Sequence, residues 1–159
     1  MVKRKRSTPD GRVTSYATPS RPDRPAAPDP ALSLLQPFID ACLAVIPEGT
    51  LSGPGRTGFV LFLIGAADRM WHQYGFDPHR FAAFAAHLLQ LHGVKSGAAA
   101  TLALNLPRLP ESAPARAALV EGAEVFAQWR EGHDPNAVLR LTQLAPRWQR
   151  EGFGSDAGS

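Results

Sequence analysis

A single cysteine, Cys42, stands in 159 residues, which excludes an intramolecular disulfide. Its neighbours Phe38, Ile39, Ala41, Leu43, Val45 and Ile46 are apolar, so a buried, inert thiol in a reducing compartment is expected. Long hydrophobic runs are missing too. The longest, from Phe59 to Ala67, falls far short of the roughly 20 residues that a membrane-spanning helix requires. No stretch alternates apolar and polar residues with β-branched enrichment, which leaves little or no sheet. No three-residue glycine period exists, and 44% apolar content is too high for a chain disordered throughout.

Metal-binding and nucleophilic signatures are equally scarce. The five histidines, His72, His79, His87, His92 and His133, form no ligand spacing: His87 and His92 diverge around a helix, and no H-E-x-x-H is present. Neither a metal nor a cofactor is expected.

Acidic residues are sparse at the start of the chain. Residues 1–29 hold seven basic residues against three acids, a balance of +4, so the rest carries −1 of the net +3. The positive charge is therefore a property of the tail, which weakens any inference to a basic groove in the fold. Rich in Pro, Ser, Thr and Arg with isolated Val13 and Tyr16, this segment has no face to bury and reads as a disordered basic tail. Its Lys3, Arg4, Lys5 and Arg6 suit contact with nucleic acid or an anionic membrane, or form a solvated terminus. No apolar h-region follows them, so secretory export is not expected and the cytoplasm is the assigned compartment. Nine arginines against one lysine in the remainder, with abundant Ala and Pro, accord with a GC-rich bacterial genome. Residues 30–151 read as one helical domain and residues 152–159 as a flexible exit.

Three Asp-Pro pairs, Asp29-Pro30, Asp77-Pro78 and Asp134-Pro135, each place a capping carboxylate before a proline whose missing N–H costs nothing at a helix start. The first opens a helix interrupted or kinked at Pro37. The second opens one with Phe81, Phe84, Ala85, Leu88 and Leu91 on its apolar side, closed by Gly93. The third opens one with Val138, Leu139, Leu141 or Thr142, and Ala145 along one stripe until Pro146 bends or breaks it. Between them, Thr57 or Gly58 opens a helix apolar all round from Phe59 to Ala67, the pattern of an enclosed central element. Ser96 caps a short small-residue helix. Ser112 or Glu111 precedes a longer one with Leu119, Ala123, Phe126 and Arg130 on its face, weakened by Gly122 at a cost of about 1 kcal/mol. The class is all-α: a compact bundle of about six helices. Asp-Pro starts 48 and 57 residues apart hint at three helical hairpins but are too irregular for a repeat.

Two motifs invite chemistry. Gly53-Pro54-Gly55-Arg56-Thr57-Gly58 is a literal G-x-G-x-x-G before a helix, yet it lacks the preceding strand of a dinucleotide fold and the lysine of a P-loop. It reads as an interhelical loop, with a weak anion site at Arg56 and the Gly58 N–H as the sharper alternative. Asp68 and His72 stand four apart, where a carboxylate can orient an imidazole. No nucleophile or metal ligand accompanies them, and an exposed helix-end pair is the competing reading.

In the last helix, Arg140, Arg147 and Arg150 fall close to one face beside Trp148, which a polar basic turn leaves partly exposed. Exposed tryptophan flanked by arginine is enriched at partner surfaces. With no complete catalytic set present, the leading expectation is a non-enzymatic bacterial cytoplasmic protein acting by protein–protein interaction, an adaptor or regulator, through Arg140, Arg147, Trp148 and Arg150. The alternatives are a factor holding DNA or RNA phosphates through the tail and last helix, and an enzyme centred on Asp68 and His72. A homodimer is compatible with the apolar central helix.

Overall fold

A computed structural model describes residues 29–152, and the chain divides into two units, residues 1–34 and 35–159. The expected tail and its Lys3–Arg6 block lie outside the described residues, except for Asp29 at the tail's end. So does the expected exit beyond Gly152. From the first unit, the described part is Asp29 and the opening of helix α1 (Pro30–Val45). There the Asp29 carboxylate accepts the Ala31 N–H at 2.8 Å and its carbonyl accepts the Ser33 N–H at 2.9 Å.

The second unit continues α1 and adds α2 (Gly53–Gln73), α3 (Phe81–Leu91), α4 (Ser96–Leu104), α5 (Ala113–Arg130) and α6 (Leu141–Glu151). Short 3-10 turns cover Pro78–Arg80, Leu106–Glu111 and Pro135–Arg140. The fold is an all-α bundle of six α-helices, with no strand among the described residues. No helix there is long and apolar enough to cross a membrane.

All three Asp-Pro devices cap in the same way. Asp77 Oδ1 accepts from the His79 N–H at 2.9 Å and Asp134 Oδ1 from the Asn136 N–H at 3.0 Å, matching Asp29. After Asp77 and Asp134, however, the chain first makes a 3-10 turn and only then an α-helix. Neither interior proline ends its helix: α1 runs through Pro37 and α6 through Pro146. In α6 the inward face of Leu141, Leu144, Ala145 and Trp148 is buried, and that burial outweighs the roughly 3 kcal/mol that an interior proline costs.

α2 is the central helix, and every residue from Phe59 to Ala67 is buried. Because this chain's own helices cover that run, it is not left over for a second copy. Around it Phe38, Phe62, Phe126 and Trp148 interlock, with ring centroids 5.2 Å apart for Phe38–Phe126 and 5.9 Å for Phe62–Trp148. Each such ring contributes about 1.5–3 kcal/mol by leaving water. Cys42 is buried, and desolvation pushes its thiol well above the usual range, in keeping with an inert role.

α5 meets α2 on a different stripe from the expected one: Ala115, Ala118, Gly122, Val125 and Phe126 are buried, while Leu119 is only half-buried. The contact is a glycine seam. A β-carbon on Gly122 would overlap the Phe62 carbonyl, and one on Gly65 would overlap the Leu119 carbonyl. Gly122 thus sits at the closest approach of the two backbones, where its lack of a side chain is the requirement. Similar registers shift elsewhere: in α3 Leu89 is buried and Leu91 is 51% exposed, and Leu139 also faces water. Within the second unit α3 packs on α4 as a sequential hairpin, whereas α2 packs chiefly on α5 and also on α6.

Candidate functional site

The glycine motif has a packing role. It does not precede α2 but forms its first turns, starting at Gly53. Gly53 adopts φ +53°, a left-handed conformation in which glycine pays no steric penalty. Gly55 lies against the Thr50 carbonyl and the Gln149 amide, and Gly58 lies under the Trp148 ring; a β-carbon at either would collide. The two glycines form the seat on which α6 lands. Gln149 completes the lock: its Nε2 donates toward the Gly49, Thr50 and Ser52 carbonyls at 3.2, 3.5 and 3.3 Å.

This seating corrects two expectations. Arg56 and Gly58 do not converge on an anion, because the Arg56 guanidinium turns back to the Leu51 carbonyl at 3.0 and 3.2 Å. Gly58, in the second turn, lies beyond the free amides of the helix end. Trp148 is not at the surface: it is 3% exposed, and its indole N–H is buried without a hydrogen-bond partner among the described residues.

The arginines of α6 are engaged by α5. Arg147 Nη2 sits 2.7 and 2.6 Å from the two Glu121 carboxylate oxygens, with Nε 3.9 Å from Glu151. These hydrogen bonds push its guanidinium above the ordinary arginine value. Arg140 stands 3.7 Å from Glu124, and Arg150 is exposed. Arg147, Trp148, Glu121 and Glu151 line a cleft of about 380 Å³ against the start of α5. Two carboxylates around one guanidinium leave it slightly acidic, so the expected basic stripe is largely neutralised.

Asp68 and His72 form a helix-surface pair, with Nδ1 3.6 Å from Oδ1 and 2.9 Å from the Asp68 carbonyl oxygen. Both side chains are open to solvent, and the described residues gather no group of three metal-ligating side chains anywhere. Asp68 has a second neighbourhood that its sequence context did not reveal. It stands on the rim of a groove of about 350 Å³ between α2, α3, the Leu106–Glu111 turn and α5. Ile64, Phe81, Leu106, Leu109, Leu119 and Val120 line it, and Val120 is 47% exposed. The sequence signal was present in Val120, an apolar residue off the buried stripe of α5, and in Leu106 and Leu109, apolar residues inside a Pro-punctuated turn.

Three features hold this groove open. The glycine seam draws α5 down onto α2, so Leu119 lies along the trough. The turn is tied by Arg116, whose Nη1 donates to the Pro110 carbonyl, and by the Asn105 carbonyl, which accepts the Arg108 N–H at 2.9 Å. Beneath, Val60, Ile64, Leu89 and Ala99 form a closed cluster against which Phe81, Leu106 and Leu119 rest. No protein-family model, curated protein or solved structure matches the chain.

Proposed function

We propose that the chain is a non-enzymatic helical module that acts by docking another protein, as an adaptor or regulator. The carrying observation is the apolar α2–α5 groove with a single carboxylate, Asp68, at its edge. Apolar side chains left open in a trough of this size favour an amphipathic helix inserting residues at i, i+3 and i+4. Asp68 selects a segment that places Lys or Arg beside those anchors. This moves the docking surface from the last helix, where Trp148 is core and Arg140 and Arg147 are paired, to the opposite side of α5. The reading also retains a bacterial, cytoplasmic setting, supported by the lone buried cysteine and the arginine-rich composition.

The nucleic-acid alternative loses most of its last-helix component, since Arg140 and Arg147 already face carboxylates; its remaining support is the Lys3–Arg6 block. For the enzyme alternative, Asp68 and His72 are adjacent on an open surface and bond each other, with no nucleophile hydrogen-bonded to either among the described residues.

A displayed library of helical peptides selected against the full chain tests the docking reading. Selected peptides should combine spaced apolar anchors with a basic residue and lose roughly tenfold or more in affinity against Val120→Glu. Peptides that bind Val120→Glu as well as the parent, or a selection that returns none, overturn it.

A further inference from the structure

From Pro78 to Pro110 the sequence contains no acidic residue, while it carries Arg80, Lys95 and Arg108. This stretch is the α3–α4 hairpin with its flanking turns, and its helices bear no Asp, Glu, Lys or Arg. A helix apolar on every side is ordinarily enclosed. α4 is not: Ala98, Ala100, Thr101 and Leu104 are exposed, and only Ala99 and Ala103 are buried. Leu104 is 81% exposed, the most open large apolar side chain among the described residues, and Leu91 of α3 is also open. At one end of the hairpin stands Lys95, and Arg56 lies over Gly93 beside it; at the other end in sequence, Arg80 follows the Asp77 cap and Arg108 stands 3.9 Å from Glu111. The result is an uncharged apolar face bordered by cations at its Lys95 end.

We propose that this hairpin face rests on an anionic lipid surface. A second copy fits poorly, because a two-fold contact through this face would set one cationic fringe against the other. A bilayer with acidic headgroups meets both features: leucine side chains enter the interface while lysine and arginine remain at headgroup level. Two leucines and a few alanines give weak insertion, and attraction of each nearby cation to an acidic leaflet adds to it. The Lys3–Arg6 block supplies further charge of the same sign. The α2–α5 groove borrows Phe81, Leu106, Leu109 and Pro110 from this stretch but none of Leu91, Ala98, Ala100, Thr101 or Leu104, so this inference does not rest on the docking reading.

The buried Cys42 permits a direct test. Its thiol is protonated and inaccessible, so a cysteine placed by Ala98→Cys can be labelled selectively with an environment-sensitive fluorophore. The full chain is then mixed with vesicles of phosphatidylcholine alone, or of phosphatidylcholine with an equal amount of phosphatidylglycerol. The expected result is a blue-shifted, brighter probe with the anionic vesicles only, and a roughly tenfold weaker response when Leu104→Asp is added. Leu104→Asp alters a solvent-facing position, so the variant folds; its unchanged circular dichroism verifies this. No probe response, or a response identical with and without Leu104→Asp, overturns the proposal and leaves any vesicle binding to the basic block. A blue shift that grows with protein concentration in the absence of vesicles overturns it in favour of a second copy, and a response to duplex DNA but not to vesicles overturns it in favour of nucleic acid.

Discussion

Gly122 of α5 lies so close to the main-chain carbonyl of Phe62 in α2 that a β-carbon on it would overlap the oxygen. Gly65 does the same from the other side against Leu119. The obstacle in each case is backbone, which cannot rotate away. Gly122→Ala should therefore separate the two helices and cost about 3 kcal/mol, near the upper end for overpacking a core, despite the better intrinsic helix propensity of alanine. Gly97 in α4 has open space around it, and Gly97→Ala should stabilise by about 0.5 kcal/mol. Urea denaturation of the two variants checks the opposite signs.

Trp148 and Gln149 are expected to act as a lock on α6. Trp148→Ala empties a buried site above Gly58 and should cost about 4 kcal/mol. Gln149→Ala removes hydrogen bonds to the Gly49–Ser52 loop and should cost about 1 kcal/mol. Trp148→Phe is more informative: it leaves a smaller void but also removes a buried indole N–H that has no partner, and an unpaired buried donor costs about 1–3 kcal/mol. The two effects oppose each other, so Trp148→Phe should fall within about 1 kcal/mol of the parent in thermal unfolding. A loss as large as that of Trp148→Ala would show that the indole N–H is hydrogen-bonded after all.

The fold was legible in the sequence wherever a local rule acts alone. Asp-Pro caps depend on a carboxylate reaching an amide two residues on, and all three formed. The run from Phe59 to Ala67 announced the central helix because few other environments accept nine consecutive uncharged positions. What sequence could not supply was the distance between helices. Gly122 read as a defect because propensity is a property of one helix, whereas its role arises from the Phe62 carbonyl on another. Trp148 read as exposed because Arg147, Gln149 and Arg150 surround it in sequence, yet those side chains leave the helix on other sides and Gly58 opens a slot for the ring. The groove beside Asp68 combines residues from Ile64 to Ala123, and no local spacing encodes that meeting.

Two inter-helix ion pairs should differ in weight. Arg147 bonds both oxygens of Glu121, whose side chain is only 15% exposed. Arg147→Ala leaves that carboxylate partly buried without its partner and should cost about 2 kcal/mol. Arg69 bonds Glu131 just as directly, at 2.7 and 3.0 Å, but both side chains lie more open to water. Arg69→Ala should cost about 0.5–1 kcal/mol and less at high salt. Equal losses for the two variants, measured by denaturant unfolding at low and high salt, would contradict this ranking.

His92 should give the fold a pH dependence of its own. Its ring meets Phe59 edge to face at 6.2 Å between centroids, and burial lowers its pKa below the ordinary 6.5. The folded state therefore holds the neutral imidazole, while the unfolded chain accepts a proton as pH falls through 6.5. Because the unfolded state then binds more protons, stability is fully present above that value and declines below it. Glu131 follows the same sign in a lower window: hydrogen bonding from Arg69 holds its carboxyl below the usual 4.5, so its contribution is lost only as pH falls beneath that. Melting temperatures should drop in two stages on acidification. His92→Gln should flatten the first stage and leave the second, and a first stage unchanged in His92→Gln would assign it to another group.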